Sequence, residues 1–214
     1  MDRFATRAVD CSISSLTMGG FKSVEKAVVA APEQTTSPEQ VVHPEQWYVK
    51  NPALLQAEIA AMAEITAMAD AKLDARCGFR RDGKMYWVIN LNPVVCGKRC
   101  HWTLLAVYDD DHPQKRWGGS VKFYPVKPNV QEMQAMVARS HVTPKTIPHL
   151  LKDEQGQLYM CTQDRDRIEA GVNKGDRVDT AASCLRYAMR WITVFELGLI
   201  DQRTWTLFQG HGQI

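Results

Sequence analysis

Ile147-Pro148-His149-Leu150-Leu151-Lys152-Asp153-Glu154-Gln155-Gly156-Gln157-Leu158-Tyr159-Met160-Cys161 reads as a hydrophobic hairpin. An apolar extended segment (147–151) turns through Asp153–Gly156 into a second one (157–161) that ends on a cysteine. A polar stretch follows, and then a long amphipathic helix. Cys161 therefore falls at the end of a hairpin and at the mouth of a polar loop, a position that suits a thiol carrying an acyl group. A buried structural thiol is the competing reading of the same residue.

Working outward, two apolar strand-like segments precede the hairpin, Trp102–Tyr108 and Gly118–Tyr124, separated by the polar turn Asp109–Arg116. The second runs directly into Tyr124-Pro125-Val126-Lys127-Pro128. Val130, Met133, Met136 and Val137 follow at helical spacing with Asn129 as cap. Further upstream, Phe79–Arg81 and Lys84–Leu91 flank Asp82-Gly83, a two-residue hairpin signal. A helix is predicted from Pro52 to Arg76, capped by Asn51 and stopped by Gly78, with Leu55, Ile59, Met62, Ala69 and Leu73 as its apolar stripe. After the hairpin, Ala181, Cys184, Leu185, Ala188, Trp191, Ile192 and Phe195 mark the buried stripe of a helix over Thr180–Leu197, capped by Asp179 or Thr180 and ended by Gly198. The tail Trp205–Phe208 is expected to pack back on the body. A helix, an antiparallel meander and then further helices make an α+β domain with helices on one face of the sheet.

Residues 1–46 differ in character. Pro-Glu-Gln recurs at 32, 38 and 44, and Val41 and Val42 are the only large apolar residues between Ala31 and Gln46. Too little apolar surface is available to offset backbone ordering, so this segment reads as an extended or mobile arm before a domain over 47–214. Phe21–Ala30 is a short helix candidate within it, and Met18-Gly19-Gly20 a turn. The chain of 214 residues, 45% hydrophobic and 23% charged, is ample for a real core. A net charge of +2 argues neither for nucleic acid nor for an anionic membrane. No apolar run reaches the roughly 18 residues of a membrane span, and no signal peptide is visible. Six cysteines without framework spacing (11, 77, 96, 100, 161 and 184) fit free thiols in a reducing cytoplasm.

The order of elements resembles the ubiquitin-conjugating enzyme family: an N-terminal helix, a four-stranded antiparallel meander, a catalytic hairpin and C-terminal helices. Gly118-Gly119-Ser120-Val121-Lys122-Phe123-Tyr124-Pro125 is similar to that family's Gly-Gly strand leading into its Tyr-Pro-x-x-Pro turn. Ile147–Cys161 is similar to its His-Pro-Asn segment and catalytic cysteine, and Thr180–Leu197 to the helix backing the site. The resemblance covers roughly residues 52–200. Two departures stand out. His149 matches the family histidine only with a hairpin two residues longer, which leaves Leu151 at the place of the family's oxyanion-stabilising asparagine. The helix at Asn129–Ala138 replaces a short fourth strand. This divergence is similar to bacterial relatives that work with a ubiquitin-like protein and an activating enzyme, several of them in defence against phage.

The resemblance implies a transferase that accepts a ubiquitin-like modifier as a thioester on Cys161 from an activating enzyme and passes it to a target protein. No cofactor is expected; the ligand count at 96–101 points to no metal, and charge and hydropathy point to no nucleic acid and no membrane. Cysteine suits the task because its thiolate is both nucleophile and leaving group. His149 reads either as a second catalytic residue or as a hydrogen-bonded support of the hairpin. Arg165 and Arg167 are placed to lower the thiol pKa, although solvated loop positions are their plainer role. Asp164, Asp166 and Asp176 offer bases for an incoming nucleophile, and Gln163 and Asn173 offer oxyanion donors, each weighed against an ordinary loop role.

The remaining signals favour structural roles. Cys184 lies on a helix stripe as a small buried hydrophobe. Cys96, Cys100 and His101 supply only three ligands where structural zinc takes four. His112 sits in an acidic turn and reads as solvated. Trp87, Trp102 and Trp117 read as packing residues on strands and a strand edge. Two further functions compete: a catalytically inactive relative that binds a ubiquitin-like protein, favoured by Leu151, and a thiol hydrolase using Cys161 with His141 or His149.

Overall fold

The computed structural model describes residues 43–69, 73–114, 119–162 and 180–210. Phe21–Ala30, the diglycine, most of the Pro-Glu-Gln arm, Trp117, Gly118 and the loop residues Gln163 to Asp179 lie outside the described residues, as do the roles expected for them. Gln46, the last residue assigned to the arm, is already part of the body: it is buried, and its Nε2 donates to Asp110 Oδ1 at 3.1 Å.

The protein is α+β. A one-turn helix α1 (Trp47–Lys50) precedes α2 (Pro52–Met68). Asn51 caps α2 by accepting from the Leu54 N–H at 3.1 Å, and Pro52 occupies the first turn, where no N–H is needed. The helix stops at Met68 instead of Arg76. Leu73–Phe79 is strand β1, in which Leu73 and Cys77 are buried while Asp74 and Arg76 are exposed. Leu73 falls on the helical stripe by coincidence; the two-residue alternation in Leu73-Asp74-Ala75-Arg76-Cys77 is the signal that wins. The buried stripe of α2 is also displaced by one position from the expected Leu55 and Ile59: it runs Leu54, Glu58, Met62, Ile65. It thus carries a carboxylate into the core.

β1 pairs with β2 (Met85–Leu91) through a turn one residue longer than the Asp-Gly pair alone. The Arg80 N–H donates to Lys84 O at 2.9 Å and the Gly83 N–H to Arg80 O at 3.0 Å, with Gly83 at φ +82. The loop is therefore three residues with a glycine bulge, where two were expected. A miniature hairpin, β3 (Val94–Val95) and β4 (Lys98–Arg99), follows. Then come β5 (Trp102–Tyr108), β6 (Val121–Lys127), α3 (Val130–Arg139), β7 (Leu150–Lys152), β8 (Leu158–Met160), α4 (Ala181–Gly198) and α5 (Gln202–Gln209).

The main sheet has six strands in the order β1-β2-β5-β6-β8-β7, with antiparallel pairings throughout. The four-stranded meander β1-β2-β5-β6 is thus extended by the hairpin, with β8 inserted against β6 through Phe123 and Met160. Alternate residues point into a single core against the helices: Trp87, Ile89 and Leu91 of β2, Trp102, Leu104 and Ala106 of β5, Phe123 of β6. The Tyr124–Pro128 run is not a turn. β6 continues to Lys127, and because Pro125 pairs with Leu104 and Lys127 with Thr103, Val126 is the extra residue of a bulge. A proline fits there because the ladder is already interrupted.

The helices α3 and α4 follow their sequence signals closely. Asn129 and Glu132 form a reciprocal capping box at α3, with bonds of 2.9 and 2.7 Å. Thr180 caps α4 by accepting from the Ser183 N–H at 3.0 Å, and every residue expected on the α4 stripe is buried. Gly198 is the last helical residue; a Cβ there would lie 2.8 Å from Trp205 Cε3, so the missing side chain admits α5. Trp205 and Phe208 are fully buried, as expected of the tail. Among the described residues no helix is long and apolar enough to cross a membrane.

Candidate active site around Cys161

Cys161 lies one residue past β8. Met160, which precedes it, is fully buried against β6, whereas Cys161 is half-buried. The hairpin ladder carries one bond beyond its last strand pair: the Cys161 N–H donates to the His149 carbonyl at 2.9 Å. At its far end the hairpin closes through Asp153. The Asp153 N–H donates to Gln157 O at 3.0 Å, and Gly156 at φ +78 repeats the glycine-bulge turn of β1–β2. Asp153 Oδ1 accepts from the N–H groups of Gln155 and Gln157, at 3.0 and 2.7 Å, and Oδ2 accepts the Tyr124 hydroxyl at 2.9 Å. Burial, and then this bond to Asp153, hold the Tyr124 phenol far above its ordinary pKa.

His149 has φ +55, the left-handed region that few non-glycine residues occupy but that histidine tolerates better than most. Its Nε2 donates to the Phe208 carbonyl of α5 at 2.8 Å, and its ring lies 5.4 Å from the Phe208 ring. A carbonyl can only accept, so Nε2 carries the proton. That nitrogen cannot take a proton from Cys161 while this bond stands. His149 is joined to Cys161 through its main chain and to α5 through its ring. Leu151, expected from the resemblance to take the place of an asparagine, is in β7, opposite Tyr159 and half-buried.

The 143–149 segment that delivers His149 is bonded along α5. Thr143 and Gln202 exchange two bonds (Thr143 N–H to Oε1, 2.9 Å; Nε2 to Thr143 O, 2.7 Å). Trp205 Nε1 donates to Pro144 O at 2.8 Å, and Gln209 Nε2 to Thr146 O at 2.7 Å. The donors at 202, 205 and 209 recur at three- and four-residue steps on one helix face. Two amides and an indole at that spacing opposite a proline-containing extended segment were the available signal in the sequence, and composition alone does not reveal it.

A second polar centre went unread. His112, expected in solvent, is 3% exposed. Its Nε2 is 3.2 Å from Glu58 Oε1 and its Nδ1 2.8 Å from Ser120 Oγ. Glu58, 0% exposed, also accepts the Tyr108 hydroxyl at 2.7 Å and the Ala181 N–H at 2.8 Å, both on Oε2, while Tyr108 accepts from Trp87 Nε1 at 3.0 Å. Burial, and then the Glu58 carboxylate, push the Tyr108 phenol well above its ordinary pKa. Trp47 closes the top, its ring 4.6 Å from that of His112 and 4.9 Å from that of Tyr108. This hydrogen-bonded Glu-His-Ser chain of buried side chains joins α2, β5, the β5–β6 turn and the start of α4 structurally.

The other candidates separate in space. Cys96 is exposed at the tip of the β3–β4 turn, Cys100 is buried with Sγ 3.9 Å from Lys98 O, and His101 Nδ1 is 2.5 Å from Asn92 Oδ1. Among the described residues, no group of three His, Cys, Asp or Glu side chains is arranged to hold a metal. Cys184 is buried on α4, and His141 is exposed. Trp87 and Trp102 are both core residues. The chain matches no protein-family model, no curated protein and no solved structure.

Proposed function

We propose that the protein is a ubiquitin-like-protein conjugating enzyme with Cys161 as its acyl-carrying thiol. The Cys161 thiolate attacks the thioester carbonyl of a modifier held on an activating enzyme. A new carbon–sulfur bond forms, and the activating enzyme's thiolate leaves. An amine or hydroxyl of a target then displaces Cys161 in turn. The observation that carries the reading is a half-buried thiol one residue beyond a buried strand, with its backbone anchored to His149. The element order supports it: a helix, a four-stranded meander, a hairpin ending on the thiol, and helices behind. The specific ubiquitin-conjugating architecture, with a bacterial anti-phage conjugation system as its setting, belongs to the same proposal. Leu151 favours a second reading, an inactive relative that binds the modifier without chemistry. A Cys–His hydrolase is the remaining alternative; because His149 Nε2 donates to the Phe208 carbonyl, a base role in it would fall to Nδ1.

Incubation with modifier, activating enzyme and ATP separates these. The conjugating reading predicts a heavier species on a non-reducing gel that disappears with thiol reductant. Cys161→Ser converts it to a reductant-stable ester or loses it, and Cys161→Ala abolishes it. Full persistence in Cys161→Ala overturns the assignment. Modifier binding without a covalent species identifies the inactive relative.

A further inference from the structure

We propose that helix α5 positions Cys161: through the 143–149 strap and the main chain of His149, it sets how far the Cys161 thiol stands clear of the body. This rests on reading Cys161 as the acyl-accepting residue. The chain of contacts is continuous. Gln202, Trp205 and Gln209 hold the main chain of Thr143, Pro144 and Thr146, as the bonds above record. The α5 carbonyl of Phe208 holds the His149 ring, and the His149 carbonyl holds the Cys161 N–H. The left-handed backbone at His149 needs an external restraint, because outside glycine that conformation is uncommon. The restraint comes from α5, whose anchor is deep: Trp205 and Phe208 are fully buried, while the Gln202 and Gln209 bonds lie at the surface. Surface bonds on a buried anchor are separable, so the strap can be loosened with the core intact. His149 is accordingly a positioning residue, and Gln202 and Gln209 act through it.

Site-resolved alkylation of the full-length protein by iodoacetamide tests this without any modifier. Exposed Cys96, on the β3–β4 turn, is the internal standard, and buried Cys184 reports global opening. The Gln202→Ala/Gln209→Ala double variant should label Cys161 at least about three- to tenfold faster relative to Cys96, with Cys184 still protected, since the loss of even one such bond favours local opening by about that factor. His149→Ala should show the same, and His149→Gln, which keeps a donor for the Phe208 carbonyl, should return to within about twofold of wild type. In the reconstituted reaction the loosened variants should accept the modifier about tenfold more slowly while alkylating faster, because small displacements penalise a directed transfer more than an undirected one. Unchanged Cys161 labelling in the double variant and in His149→Ala overturns the proposal, as does a rise that only tracks Cys184. If wild type itself accepts no modifier, the acyl-acceptor reading falls, and the labelling ratios still decide whether α5 positions the thiol.

Discussion

The molecule holds two histidines in opposite ways. His112 has both ring nitrogens beside side chains, Ser120 and Glu58, in a centre closed to solvent by Trp47. His149 has one ring nitrogen on a main-chain carbonyl and stands half-buried beside a half-buried thiol. In the first region a buried carboxylate is stable only because the Tyr108 hydroxyl, the His112 ring and the Ala181 N–H replace its water; removing one member strands the rest. In the second the bonds are neutral, and several are at the surface, so each contributes little alone. The difference teaches how burial is divided: the sealed region holds the fold, and the half-open one carries a cysteine that is only partly covered.

The strongest way to break this comparison is at Glu58. Glu58→Ala leaves His112, Tyr108 and the Ala181 N–H buried without their acceptor and should cost about 3–5 kcal/mol. Urea denaturation measures this, and a loss under about 1 kcal/mol would mean that the centre is not the clamp described. His149→Ala, in the same assay, should cost only about 1 kcal/mol, the value of one neutral hydrogen bond and part of a ring contact. Equal losses at the two sites would erase the distinction. A graded effect is alkaline. Tyr108 and Tyr124 hold their protons above the ordinary phenol range when folded, whereas unfolded tyrosines release theirs near pH 10. Above that pH the folded state binds more protons, so stability falls as pH rises. Urea midpoints between about pH 9 and 11 should therefore decline, and Tyr108→Phe should flatten the decline more than Tyr124→Phe, because Tyr108 is in the sealed region. A flat profile contradicts both assignments.

Elements with a single dominant periodicity were legible. Trp102–Tyr108 is a strand with the expected bounds, and α4 and α3 carry the caps read from Thr180 and Asn129. The α2–β1 boundary was not legible, because Leu73 satisfies a helical and a strand pattern at once. The turn that the family resemblance implies at Tyr124–Pro128 is instead a bulged strand end, with Val126 as the extra residue and proline tolerated where the ladder is interrupted. The hairpin and its terminal cysteine were legible as neighbours in sequence. Their attachment to α5 was not, since Thr143 and Gln202 are 59 residues apart and amide-to-backbone bonds leave little trace in composition. Glu58 and His112 escaped for the same reason: a carboxylate on an apolar stripe acquires meaning only once its distant partner is known.

α4 touches both regions. Its first residue gives its N–H to Glu58, and its last, Gly198, lies against the indole of Trp205, which in turn holds Pro144. Eighteen residues of unbroken helix make a beam about 27 Å long between those ends. Side chains added at position 198, or an altered seat at position 181, would be transmitted along a stiff member with no joint to absorb them. Changes at the two seats of the beam therefore reach both regions, whereas the surface bonds of the 143–149 strap can be altered without loading it.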